Sequence, residues 1–376
     1  MAKEVMTQVR EILGNRHEWA KEWKQRTGCK VLGGICTYVP EEIVHAAGIL
    51  PVRILGSHEP QSITDVYIFS MYCPFCRDML AQGMTGRYDY LDGVVIARSC
   101  IHQINTYGAW KFALNPSYEH FVSMPANIQS PRAKTYLTEE LRYFASSLED
   151  WLGKRITDES LHESIQVYNN NRQLLRQIYE LRKQDPPGIS GTEVVELVVA
   201  SQIMDKQEHA KLLEELLEEL PSTENRPAPG RRLMVIGSEL PIDFVGFIES
   251  LGANVVIEDD CTGSRYFWND VPLEEDPIAA IATRYIERPP CPAKDWPHRS
   301  RIDHVMNLAK DYNVEGVILA NYKFCDPHEL DNPELQQSLE KADIPCLHLE
   351  LDVTTPVGQF RTRVEAFLEM FELEIV

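Results

Sequence analysis

Apolar residues recur every three or four positions through MAKEVMTQVREILGNRHEWAKEWKQRTG at the start of the chain, the pattern of an amphipathic helix. KVLGGIC breaks that period with a short apolar run ending at Cys36, and Pro40, Glu41 and Glu42 then open a helix, PEEIVHAAG. Proline at the helix start, acids in its first turn and Gly48 at its end mark its limits. ILPVRILG reads as a strand, the segment carrying CPFC follows, and DGVVIARSC is a further apolar run that ends in a cysteine. Strands alternating with helices in this way predict a parallel sheet covered by helices.

From about Tyr136 to Leu220 the period is helical throughout. Ser190 with Glu193, and Asp205 with Glu208, fit capping boxes at helix starts. PSTENRPAPGRR has the composition of a linker, and a second strand-helix alternation begins near Arg231 with RLMVIG and runs to GQFRTRVEAFLEMF. The expected fold class is α/β: two Rossmann-like or flavodoxin-like parallel-sheet domains with a helical insert between them. The boundaries fall at 1–135 for the first domain with its leading helix, 136–225 for the helical segment and linker, and 226–376 for the second domain. A short internal echo links the two halves, since DGVVIA leads to Cys100 and EGVILA leads to Cys325.

Composition narrows the function. The chain has 376 residues, of which 44% are apolar and 25% charged. It has no apolar run near the ~20 residues that a membrane helix needs. No export signal is visible at the N-terminus, so the expected location is the cytoplasm. Lys and Arg number 37 against 57 Asp and Glu, a formal charge of −20. Such a surface repels phosphate backbones, which argues against nucleic acid as a partner; a small anionic substrate would need a local basic pocket.

Nine cysteines are scattered along the chain, at 29, 36, 73, 76, 100, 261, 291, 325 and 346. In a reducing compartment they are buried fillers, metal ligands or catalysts rather than disulfides. Ligands of open parallel sheets bind beyond the carboxyl ends of the strands. Cys36, Cys100 and Cys325 each follow a strand, and Cys73 precedes Pro74 at the start of a helix, where a thiolate is stabilised. These cysteines, drawn from both domains, can converge in the cleft between them. The bland alternative for each is a buried small hydrophobe.

CPFC also resembles a dithiol redox motif, yet about 70 residues and two strands precede it, unlike the early placement in thioredoxin folds. A zinc knuckle would want a second CxxC pair. HExxH, GxGxxG and GxxxxGK[ST] are absent, so ATP use would belong to another chain. Soft thiolates from separated loops favour an iron-sulfur cluster, and three of them around four irons leave one iron for a non-protein ligand.

Several stretches together carry a family likeness: YVPEEIVHAAGILPVRILG, GMTGRYDYLDGVVIARSC with GAWKF, ITDESLHESIQVYNNNRQLLRQIYELR, DDCTGSRYF, GVILANYKFCDPHELDNPELQQSL, and IPCLHLELD with GQFRTRVEAFLEMF. Over nearly its whole length the chain resembles the ATP-dependent acyl-CoA radical enzymes, which comprise 2-hydroxyacyl-CoA dehydratases and class I benzoyl-CoA reductases. The resemblance implies that Cys73, Cys100 and Cys325 hold a 4Fe-4S cluster, with Cys76 a neighbour that does not ligate. Ile101 stands where the family usually has Asp after its second cysteine. The implied partners are a related larger cluster-bearing subunit, an ATP-hydrolysing iron-sulfur activator and an acyl-CoA substrate. An electron placed on the thioester carbonyl makes a ketyl-type radical anion, which expels a 2-hydroxyl group or takes further electrons into an aromatic ring.

The helical insert and GMTGRYDY are nearer to the smaller subunit of benzoyl-CoA reductase, which makes reductive dearomatisation the first reading. KFCDPHELDNP and QFRTRVEAF look equally like the smaller subunit of an (R)-2-hydroxyacyl-CoA dehydratase, the alternative. A non-catalytic cluster scaffold or electron relay is the reading from another class, and a Cys73–Cys76 thiol oxidoreductase a further one. Glu42 and His45 are catalytic candidates within one helical turn, weighed against capping or a solvent-facing place on an amphipathic helix. Cys36 sits at the edge where it would line the cluster pocket, while Cys29, Cys261, Cys291 and Cys346 default to structural roles. Arg361 and Arg363 are candidates to meet CoA phosphates, with a solvated helix face as the alternative.

Overall fold

The leading amphipathic stretch folds as two helices, α1 (Ala2–Gly14) and α2 (Arg16–Thr27), in a computed structural model that describes residues 2–59, 62–220, 226–353 and 357–373. Gly28, at φ 70°, ends α2 in the left-handed region that glycine enters without steric cost. The chain continues through β1 (Val31–Ile35), α3 (Glu41–Ala46), β2 (Leu50–Arg53), α4 (Pro74–Met84), β3 (Gly93–Ala97), α5 (Ile101–Leu114) and β4 (Glu119–Val122). All pairings among these strands are parallel, in the order β2-β1-β3-β4. β1, β2 and β3 are buried at every position, which is why they read as continuous apolar runs rather than alternating ones.

The insert supplies α6 (Ala133–Leu152), α7 (Asp158–Leu181), α8 (Gly191–Ser201) and α9 (Lys206–Glu219). Ser190 and Glu193 form the expected reciprocal box at α8, and Asp205 accepts from the amides of Gln207 and Glu208 at α9. Thr157 and Ser160 make a further box at α7. The second alternation gives β5 (Arg231–Gly237), α10 (Ile242–Glu249), β6 (Ala253–Asp259), α11 (Ser264–Phe267), α12 (Pro277–Glu287), α13 (Ser300–Asp311), β7 (Gly316–Tyr322), α14 (Asp326–Lys341), β8 (Cys346–Leu351) and α15 (Val357–Leu373). Its sheet, β6-β5-β7-β8, is again all parallel and repeats the strand order of the first. The sequence echo falls on β3 and β7, the third strand of each sheet, so it marks equivalent places in the two units.

Two helices cross between these units. α1, expected with the first domain, packs against α8 and α9, and its Val5, Met6, Val9 and Ile12 share a core with Val256, Ile257, Val317 and Leu319 of the second sheet. In the other direction α12 packs on α6 and α7, and Ile278 and Ile281 share a core with Leu32 and Val95 of the first sheet. Among the described residues no helix is long and apolar enough to cross a membrane.

The helix α3 shows how tightly this exchange is held. Glu42 is wholly buried, ion-paired with Arg172 of α7, and accepts from Tyr285 Oη of α12 at 3.2 Å. Ser164 Oγ donates to the Glu42 carbonyl at 2.7 Å, and His45 Nδ1 lies 2.9 Å from the same hydroxyl. The face expected to meet solvent or substrate is therefore turned inward, where Glu42 and His45 tie three helices together. Burial alone would raise the Glu42 pKa, but Arg172 and Arg284 outweigh it and hold the carboxyl below its ordinary range. A carboxyl depressed by folding stabilises above its unfolded pKa of about 4.3, and the gain is lost as pH falls through the lower folded value. Glu42→Gln leaves Arg172 buried without its counter-charge, so unfolding at neutral pH should lose about 3–5 kcal/mol. Denaturant midpoints should show the deficit narrowing on acidification.

Candidate functional site

The carboxyl ends of the two sheets face each other, and cysteines crowd that seam. Cys36 follows β1 directly and takes φ 77°, a left-handed conformation that is costly for a residue with a Cβ. Cys73 is the N-cap of α4 with Pro74 in its first turn, Cys100 is the N-cap of α5, and Cys325 is the N-cap of α14. Phe324, just before Cys325, is also left-handed at φ 60°. Three thiols thus occupy the place that Ser, Thr, Asp or Asn usually fills. None closes a cap of the usual geometry, but the amide of Cys76, Gln103 or His328, third in its helix, reaches the sulfur that begins it.

The three sulfurs lie within reach of one another's charge, with Cys261 near Cys325, and Cys36 and Cys291 near Cys100. Cys261 and Cys291, expected to be structural only, therefore belong to the same seam. Among the described residues no three His, Cys, Asp or Glu side chains close around a single metal ion. The protonation of the thiols is uneven. The Cys76 thiol donates to Cys73 and, with His102, draws Cys73 towards the thiolate despite burial. Cys76 is pushed up correspondingly by the proton it donates and by burial. Burial and then the nearby Cys73 charge raise Cys325, and burial with the surrounding thiols raises Cys100.

Histidines brace the thiol loops. The amide of Cys73 donates to His102 Nδ1 at 2.9 Å, which leaves the ring proton on Nε2, 3.5 Å from Asp326 Oδ2. The His102 ring stacks on Tyr72 at 4.2 Å. His102 is two residues past Cys100 and Asp326 directly follows Cys325, so one ring touches all three loops. His328 Nδ1 lies 3.2 Å from Cys325 Sγ, and its Nε2 lies 3.2 Å from Arg265 Nη2. Arg265 and Arg301 both engage Asp259, at 3.2 Å and 2.6 Å, and Arg301 also pairs with Asp331.

A basic lining surrounds the seam in this acidic chain. Lys294 is buried, donates to the Pro125 carbonyl at 3.0 Å, and is brought down to about 8 by burial against the pull of Cys36 and Cys291. Arg53, at the carboxyl end of β2, is buried with its Nε and one terminal nitrogen unpartnered. Arg288 donates to the Thr37 carbonyl at 2.6 Å and to that of Arg265. Sequence reasoning singled out none of His102, His328, Arg265, Lys294 or Arg53. The two histidines did carry a signal, since each falls in the first helical turn after a capping cysteine. Glu42 and His45 lie in the helix packing described above. Arg361 pairs with Glu365 at 3.4 Å, and Arg363 donates to the His348 carbonyl at 2.6 Å. Cys29 is held near the Thr27 carbonyl, and Cys346 lies in β8.

The family model for the 2-hydroxyglutaryl-CoA dehydratase D-component matches residues 36–371, which include every cysteine of the seam. The chain belongs to this family. Among its curated relatives, the (R)-phenyllactyl-CoA dehydratase beta subunit of Clostridium sporogenes is 29% identical over 367 residues, covering 96% of each chain. A benzoyl-CoA reductase subunit of Thauera aromatica is 28% identical over 336 residues, 87% of each chain. The (R)-2-hydroxyglutaryl-CoA dehydratase beta subunit of Acidaminococcus fermentans is 28% identical over 352 residues, 91% of this chain and 92% of the relative.

The thiol asymmetry of this D-component family member is measurable in chelator-treated protein by the ultraviolet absorbance of thiolate. Because Cys73 is depressed, a thiolate signal should persist below the ordinary thiol pKa of about 8.5. Cys73→Ser should abolish that low-pH component, and Cys76→Ala, which removes its donor, should move it to higher pH.

Proposed function

We propose that this chain is the iron-sulfur subunit of a multi-subunit acyl-CoA radical enzyme, with Cys73, Cys100 and Cys325 as the ligands of a 4Fe-4S cluster. A fourth iron is left for a non-protein ligand. The observation that carries the reading is the convergence of three helix-capping thiols from two sheets on one seam. Three neighbouring thiols, Cys73 buried and Cys100 and Cys325 half-buried, cannot all ionise beside one another unless positive charge stands among them, and an iron cluster core would provide it. The donor set is soft, as such a cluster requires. The three thiols begin helices, whose N-terminal dipoles would favour the negative charge of a bound cluster.

When bound, the cluster supplies electrons one at a time. The chain's own residues hold and insulate it: Cys76 donates to Cys73, His102 fixes the Cys73 amide, and the apolar core around Phe75, Tyr72 and Tyr322 excludes water. Buried Arg53, with two guanidinium nitrogens unpartnered, and Lys294 are the candidates for the local positive charge that an anionic acyl-CoA would need in so acidic a protein. The relatives' names include two dehydratases of 2-hydroxyacyl-CoA type and one benzoyl-CoA reductase, and both reactions begin with one electron on a thioester carbonyl. Dehydration and ring reduction fit the relatives equally, so the preference for ring reduction rests on the helical insert and GMTGRYDY. The proposed partners are a related larger subunit and an ATP-hydrolysing iron-sulfur activator, all in the cytoplasm.

Anaerobic purification should give about four irons per chain with matching sulfide. Cys73→Ser and Cys325→Ala should lose the cluster, and Cys76→Ser should retain it. Iron-free protein with a reversible Cys73–Cys76 disulfide would sink the proposal in favour of a thiol oxidoreductase. Turnover of benzoyl-CoA and of 2-hydroxyacyl-CoA with the partner, the activator and ATP then separates the two reactions. Intact clusters with neither activity would mark a scaffold.

A further inference from the structure

The hydrogen bond between His328 and Cys325 has a direction that its other neighbour dictates. His328 Nε2 lies 3.2 Å from Arg265 Nη2, and a guanidinium offers donors only and does not lose its proton. Facing that donor Nε2 accepts, and the Gly237 carbonyl beside the ring, which an Nε2 proton would need, is already taken by the same Arg265 nitrogen. An imidazole that accepts at Nε2 carries its proton on Nδ1, and Nδ1 lies 3.2 Å from Cys325 Sγ. This is the tautomer less favoured by a free histidine side chain in water, so the surroundings enforce it.

Those surroundings leave Arg265 no freedom to release the ring. It is buried, its Nη2 also donates to the Gly237 carbonyl, its Nε sits 3.2 Å from Asp259, and Arg288 clasps its own carbonyl. Asp259 is fixed in turn by Arg301, which Asp331 holds from the other side. The His328 amide also donates to the Cys325 carbonyl at 3.1 Å, which pins the ring in the first turn of α14. His102 is the contrast: its Nδ1 accepts from the Cys73 amide at 2.9 Å, which places its ring proton on Nε2, facing Asp326.

We infer that His328 is a positioning residue whose Nδ1–H, locked by Arg265, donates permanently to the Cys325 sulfur and raises the reduction potential of the cluster held there. The second half rests on the cluster reading proposed above. A donor to a ligand sulfur strengthens as the cluster gains negative charge, so it favours the reduced state. A station equipped with it takes an electron more readily than one without.

Long-range nitrogen-proton correlation spectra of histidine-labelled protein report the tautomer with or without iron, and should place the His328 proton on Nδ1. A proton on Nε2 would overturn the inference outright. In protein holding its cluster, redox titration followed by electron paramagnetic resonance should show a more negative midpoint for His328→Leu at unchanged iron content. His328→Gln, whose amide can donate, should return most of that shift. An unchanged midpoint in an iron-replete Leu variant would overturn the potential-setting role. Iron-free wild-type protein with the Nδ1 tautomer intact would instead overturn that role together with the cluster reading, and sustain the hydrogen bond. Should the Leu variant not fold, the wild-type tautomer and the Gln midpoint still decide the matter.

Discussion

Like charges cannot share a dry site unless positive charge is set among them, and this constraint governs the seam between the two sheets. Cys73 takes the thiolate charge with the help of the Cys76 thiol, and Cys325 and Cys100 are driven the other way by burial and by the charge already there. The arrangement is tense without a compensating group. Its surroundings answer the tension in two ways: three helices point their N-termini at the seam, and buried Arg265, Arg53 and Lys294 lie along it. Arg265 is itself neutralised by Asp259, which keeps its charge from becoming an isolated buried cation.

The fold supplies the rigidity that such a site demands. Two sheets of the same strand order meet at their carboxyl ends, where ligands of parallel sheets bind. That meeting would be loose if each unit folded alone, as separate domains usually move. Exchange of α1 and α12 removes the freedom, because each helix completes the core of the other unit. The Glu42, Arg172 and Tyr285 cluster adds a buried polar clasp to the same junction. Left-handed Cys36 and Phe324, one on each sheet's edge, show strain kept at the seam rather than dispersed.

Much of this was legible in the sequence for a physical reason. Strands buried on both faces leave unbroken apolar runs, and the caps at Ser190 and Asp205 follow from side chains that satisfy nearby amides. Cysteines directly after such runs must lie at the carboxyl edge, which groups Cys36, Cys100 and Cys325. What stayed hidden depends on distant partners. The inward turn of Glu42 requires Arg172, 130 residues away, and the destination of α1 is set by a complementary face on α8 and α9. Cys261 follows β6 much as Cys100 follows β3, but the acids closing ANVVIEDD hide that strand end, and Cys291 comes after α12, so only the folded seam brings both beside Cys36. Lys294 and Arg265 read as ordinary surface charges until burial makes them part of the site.

Ile101 brings these strands of argument together. It occupies the first turn of α5 beside Cys100, where the family resemblance leads one to expect an acid, and a neutral side chain there removes a negative charge from the edge of the thiol group. Asp326 keeps the equivalent acid beside Cys325, but the Nε2 proton of His102 faces it. On the proposed ligand set, a missing carboxylate at Cys100 and a fixed donor at Cys325 act in the same direction, since each favours the more negatively charged reduced state. On that reading, the neutral side chain at Ile101 and the donor at His328, in loops from different sheets, would both bias one site towards holding an electron. Such a bias would come from the residues just after the cysteines rather than from the cysteines themselves.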